Sequence, residues 1–116
     1  MPYASGLSTA ADTARAVAEA ADAVRAALPG RPDLAVAFFT PPHLPAADRL
    51  AKELTARLGT DTVVGCLAEG VVGTGREVER GPAVSVWAAD FGGPVAVEPF
   101  HLRPEHTPDG LSLFGW

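Results

Sequence analysis

Between Val63 and Glu79 an apolar run, Val63-Val64-Gly65-Cys66-Leu67, passes directly into a glycine-rich segment carrying Glu69, Arg76, Glu77 and Glu79. In open α/β sheets, ligands bind beyond the carboxyl ends of strands, where backbone groups leave the ladder. The junction is therefore the expected pocket. Arg76 can hold a carboxylate through its two-pronged guanidinium while Glu69 or Glu77 takes an ammonium, which suits a zwitterion such as an amino acid. The same charges equally suit a solvated, salt-bridged loop, and the residues alone favour that plainer reading. Gly70, Gly73 and Gly75 spell the dinucleotide fingerprint in reverse, and no helical pattern follows to offer its N-terminus to phosphate. Their expected task is positive φ or close backbone approach.

Cys66 is placed to act as a thiolate nucleophile, a redox sensor or a haem or metal ligand. No basic residue beside it in sequence would activate it, so burial in the core is the expectation. The histidines at 43, 101 and 106 lack the i, i+4 spacing of a helical zinc site, and no second ligand cluster accompanies them. His43 follows an apolar strand, on a loop that should face the glycine-rich one, although a histidine beside two prolines more often sits in a solvated turn. His101 is expected as a partly buried partner on a late strand. No serine, histidine and aspartate set has the strand-to-elbow context of a hydrolase, so no enzyme is expected. The expected ligand site comprises Gly65, Cys66, Glu69, Gly70, Gly73, Gly75, Arg76 and Glu77, with Thr40 and His43 on the facing loop; no catalytic residue, metal site or cofactor is assigned.

These residues need a scaffold. Ala14, Val17, Ala18, Ala21, Val24 and Leu28 trace one stripe at three- and four-residue steps, predicting a first helix over Thr9–Leu28, capped by Thr9 and stopped by Pro29-Gly30. Its many alanines should let it lie close against a sheet. Leu34–Thr40 reads as a central strand buried on both faces. Pro45 opens a second helix whose stripe is Ala47, Leu50, Ala51, Leu54 and Leu58, ended by Gly59, with Asp48–Lys52 and Glu53–Arg57 as i, i+4 pairs. Thr62–Leu67 reads as a second buried strand, parallel to the first across a right-handed crossover. Ala83–Ala89 and Val95–Leu102 flank Gly92-Gly93, the expected turn of an antiparallel hairpin with Pro99 near an edge. Residues 103–116 show no period, yet Leu111, Leu113, Phe114 and Trp116 should pack on something. The predicted fold class is α/β, a mixed sheet of about four strands covered by two main helices.

The totals restrict the function. In 116 residues there is room for one domain. A net charge of −5 with nine Lys and Arg argues against a nucleic-acid surface. No run of about 18 apolar residues is present to span a membrane, no signal peptide is visible, and one cysteine fits a reducing compartment. A cytoplasmic location is expected.

Ala4-Ser5-Gly6-Leu7-Ser8 before an alanine-rich helix, Gly65-Cys66-Leu67-Ala68-Glu69-Gly70-Val71 with Gly75-Arg76-Glu77-Val78-Glu79, and Pro82-Ala83-Val84-Ser85-Val86-Trp87-Ala88 together resemble the N-terminal part of FIST domain proteins. The resemblance implies a sensory domain of signal transduction that binds small ligands, amino acids being the usual proposal. Some members of that family are haem proteins responding to nitric oxide, which makes a haem-dependent sensor the first alternative; a structural or interaction fragment without ligand is the second. Family members continue beyond this length, so the chain reads as a truncated or minimal form. The expected partners are a small molecule and either a second copy of the chain or an absent C-terminal FIST partner domain.

Overall fold

A computed structural model describes residues 2–115. The elements in order are β1 (Tyr3–Ser8), α1 (Thr13–Ala27), β2 (Leu34–Phe39), α2 (Ala47–Leu58), β3 (Val63–Leu67), β4 (Val71–Gly73), β5 (Arg76–Val78), β6 (Val84–Ala89), β7 (Arg103–Thr107) and β8 (Gly110–Phe114). A 3₁₀ segment over Pro41–Ala46 links β2 to α2. The main sheet has the order β1-β6-β2-β3, with β2 and β3 parallel and the other neighbours antiparallel. This is the expected mixed four-strand α/β sheet with two helices, but its fourth strand is Tyr3–Ser8 rather than Val95–Leu102.

The reason lies with β6. It pairs with β1 on one side and β2 on the other, so neither edge is open to a strand arriving after Gly92-Gly93. Residues 95–102 accordingly have no regular structure. The local turn signal lost to long-range pairing.

Directly paired residues share a face, which assigns Ala4, Gly6 and Ser8, Val84, Val86 and Ala88, and Ala35, Ala37 and Phe39 to the face under the helices. Against them α1 buries Ala16, Val17, Ala20, Ala21 and Val24, and α2 buries Leu50, Leu54 and Leu58. The alanine-rich helix does lie close: a Cβ at Gly6 would stand 2.2 Å from the Ala20 carbonyl oxygen. Here glycine is required by proximity.

Helix α1 starts later than its periodicity suggests. Asp12, not Thr9, is its N-cap, the carboxylate accepting the Arg15 N–H at 2.9 Å. Helix α2 stops at Gly59, which adopts the left-handed conformation with φ 68°. Pro45 precedes α2 within the 3₁₀ segment, and among the described residues the ion pair on the wet side is Arg49–Glu53 at 2.9 Å, in place of both Asp48–Lys52 and Glu53–Arg57.

Two strands are more exposed than their composition implies. Phe38 of β2 is 39% exposed and Val64 of β3 is 43% exposed, because the face away from the helices is only partly covered and β3 is an edge strand. The Ala35 N–H bonds to the Thr62 carbonyl and the Ala68 N–H to that of Phe39. By the alternation of a parallel ladder, the N–H and C=O of Val63, Gly65 and Leu67 then point to the open edge. No charge or proline guards that edge.

Residues 103–114 form the hairpin β7–β8, paired only with itself. Leu111, Leu113 and Phe114 are exposed on it, contrary to the expected packing; Trp116 lies outside the described residues. No helix among the described residues is long and apolar enough to cross a membrane.

Candidate functional site

The carboxyl ends of β1, β2 and β3 share one end of the sheet with the amino end of β6; Thr40 and His43 follow β2 there, and Glu69 and Gly70 follow β3. What they do locally differs. Thr40 is fully buried: its Oγ1 donates to the Gly81 carbonyl at 2.7 Å and accepts the Ala83 N–H at 2.8 Å. It ties the end of β2 to the segment entering β6. His43 is also fully buried, not a solvated turn residue, with Nδ1 2.8 Å from Thr13 Oγ1 and Nε2 without a hydrogen-bond partner among the described residues.

The glycine-rich loop is itself structured, as the hairpin β4–β5. Thr74 and Gly75 at its turn have φ of 50° and 72°, matching the two positive dihedrals of a tight type I′ connection. A threonine at positive φ is uncommon; here its hydroxyl reaches Ser5 Oγ at 3.1 Å. The hairpin folds across the face of the sheet opposite the helices. Ser85 Oγ donates to the Val72 carbonyl at 2.8 Å, and a Cβ on Gly73 would stand 2.6 Å from Ser85 Oγ. Gly73 therefore serves docking of the hairpin. Glu69, Arg76 and Glu77 remain exposed, with no ion pair among the described residues.

Cys66 is exposed, which corrects the expectation of core packing: the apolar run around it lies on the sheet edge rather than in the centre. With Gly65 it borders a cleft of about 240 Å³ between β3 and α2. Ala37, Phe39, Leu50 and Val63 contribute apolar wall, and Asp48 of the first turn of α2 is the one charged residue lining it. Gly65 is constrained here too, since a Cβ would stand 2.3 Å from the Ala37 carbonyl oxygen. Of the ten residues expected to form the site, the cleft brings together Gly65 and Cys66. Sequence reasoning missed Asp48, whose i, i+4 spacing to Lys52 marked it as a surface partner. Among the described residues no group of three His, Cys, Asp or Glu could hold a metal ion, and His101 and His106 are both exposed.

The profile of the FIST N domain matches residues 33–106, from just before β2 into β7. An uncharacterized protein of Mycobacterium tuberculosis strain H37Rv is 40% identical over 112 residues, covering 96% of this chain and 28% of its own length. An uncharacterized protein of Mycobacterium bovis is 32% identical over 112 residues, likewise covering 96% of this chain and 28% of its own length. The chain thus spans little more than a quarter of the length of these relatives. No solved structure matches significantly.

Proposed function

The chain belongs to the FIST N domain family, a family of sensory, non-catalytic domains of signal transduction, and from that premise we propose that it is a small-ligand-binding module whose ligand enters the cleft between β3 and α2. The observation carrying this reading is that Gly65 and Cys66, at the end of the parallel βαβ unit inside the matched region, border a partly apolar cleft together with the start of α2. At about 240 Å³ it falls below the roughly 300–1,000 Å³ of drug-sized pockets, so its guest is small. Asp48 can pair with a protonated amine while the apolar wall takes an aliphatic group. An amino acid with a short apolar side chain meets both demands.

The test is a thermal-shift screen of the twenty amino acids, with haem as a separate arm. The reading predicts a rise in midpoint with at least one apolar amino acid that is largely lost in Asp48→Asn. A screen in which no amino acid acts, or haem uptake with a Soret band that disappears on substituting a histidine, would sink it.

The partner favoured by the surface is the remainder of a longer FIST polypeptide. The open β3 edge and the exposed leucines of β8 are unguarded apolar features. Relatives sharing 96% of this chain carry nearly three quarters of their length outside the shared part, which offers segments to cover them.

A further inference from the structure

We infer that the cleft between the carboxyl ends of α1 and α2 is an anion-binding site, taking a small molecule that carries two or more carboxylate or phosphate groups. This cleft, about 590 Å³, lies at the end of the sheet opposite the hairpin β4–β5 and is separate from the β3–α2 cleft. Its residues come from the last turn of each helix and from the connection Pro29-Gly30-Arg31-Pro32.

The charge balance carries the argument. The chain holds 14 Asp and Glu against nine Lys and Arg, yet three of those nine cations, Arg25, Arg31 and Arg57, line this one cleft and no acidic residue does. Chance placement on an acidic protein would favour the opposite sign. Neither Arg25 nor Arg57 makes an ion pair among the described residues, and Glu53, which lines the adjoining cleft with both, is paired with Arg49 instead. Arg31 reaches Asp61 at 3.5 Å, with side chains 65% and 95% exposed, an attachment too weak to hold against an incoming carboxylate.

Arg25 and Arg57 also stand where a cation offsets the negative end of a helix dipole. That accounts for each residue alone. It does not account for Arg31, which lies outside both helices, nor for the convergence of all three on one cavity. Beneath the guanidiniums the buried side chains of Val24, Leu28 and Leu58 supply an apolar floor. Three forked donors over such a floor suit two or more oxyanion groups on a compact carbon or phosphate skeleton. A monovalent anion would leave at least one guanidinium unanswered.

The probes are citrate, inorganic pyrophosphate and acetate, compared with sodium chloride at matched ionic strength and pH by thermal unfolding and isothermal titration calorimetry. The expected result is saturable stabilisation by citrate, pyrophosphate or both, with acetate and chloride inert; citrate alone identifies a carboxylate site and pyrophosphate alone a phosphate site. Because all three arginines are exposed, Arg25→Gln/Arg57→Gln should fold, its midpoint lowered only slightly by the loss of two helix-end charges, and bind at least tenfold more weakly, and Arg31→Gln should show a smaller loss of binding. Stabilisation matched by chloride, or binding undiminished in the double variant, would overturn the assignment, as would no binding by either multivalent probe. Asp48→Asn should leave this binding untouched, which separates the result from the fate of the β3–α2 cleft.

Discussion

Nδ1 of His43 lies 2.8 Å from Oγ1 of Thr13, joining the segment that follows β2 to the first turn of α1. Both ends of this bond are structural anchors, because the imidazole is fully buried and the threonine opens the helix. His43→Ala removes a buried ring and the hydrogen bond together, and should lower unfolding free energy by about 2–4 kcal/mol. Chemical denaturation checks it. A change under about 0.5 kcal/mol would mean that the ring is not packed as described.

Gly6 and Ala20 mark a close approach between sheet and helix, a Cβ on Gly6 standing 2.2 Å from the Ala20 carbonyl oxygen. Relief requires α1 to lift from β1, since the obstacle is backbone. Gly6→Ala should therefore destabilise by about 1–3 kcal/mol, as overpacking does, despite alanine's better intrinsic order. Gly93→Ala serves as the control. Nothing lies within 4 Å of its Cβ position, so its midpoint should hardly move.

Glu19 of α1 sits between two donors. Its carboxyl is held below the usual carboxylate range, first by the hydroxyl of Ser8 donating at 2.5 Å and then by Arg15 donating at 2.8 Å. A lowered native pKa means that the ionised form favours the folded state. Its contribution is fully present above the ordinary value of 4.5 and is lost as pH falls through the lower native value. Glu19→Gln should flatten this part of the acid limb while leaving its shape between pH 6 and 8 unchanged. Parallel curves for the two proteins below pH 5 would contradict the assignment.

The hairpin β7–β8 carries Leu111 at 64% and Leu113 at 61% exposure, on a pair of strands that joins no other sheet. An isolated hairpin is marginal in water, so this arm should exchange its amides faster than β6. Leu111→Ser/Leu113→Ser should reduce binding of a hydrophobic dye without lowering the unfolding midpoint. A loss of several degrees would show that the leucines are packed after all.

Much of the scaffold was legible in the residues. The stripe of Leu50, Leu54 and Leu58 with Gly59 behind it marked α2, and the bounded run Leu34–Thr40 marked the central strand found at Leu34–Phe39. Each signal is local. Tyr3–Ser8 escaped assignment as a strand because small residues and Gly6 give it little pattern of its own, and only pairing with β6 and the approach of α1 make sense of them.

The site was harder to read for the same reason. Cys66 sits in an apolar run indistinguishable from a central strand, and its exposure follows from β3 being last in the sheet order. His43 beside Pro41 and Pro42 looks solvated until α1 closes over it through Thr13. The hairpin β4–β5 lacked an Asn-Gly or Asp-Gly signal, since Thr74 takes the first positive φ. Arg25, Arg31 and Arg57 are spread over 33 positions of chain, and only the packing of α1 beside α2 brings them to one cleft.

The most direct test of the ligand-binding reading is a nitrogen-edited amide correlation spectrum of the chain, titrated with the amino acids that raise its unfolding midpoint. The account predicts saturable shifts concentrated at residues 47–51 and 63–66, on both walls of the β3–α2 cleft. Shifts confined to the hairpin β4–β5, or scattered without saturation, would contradict it.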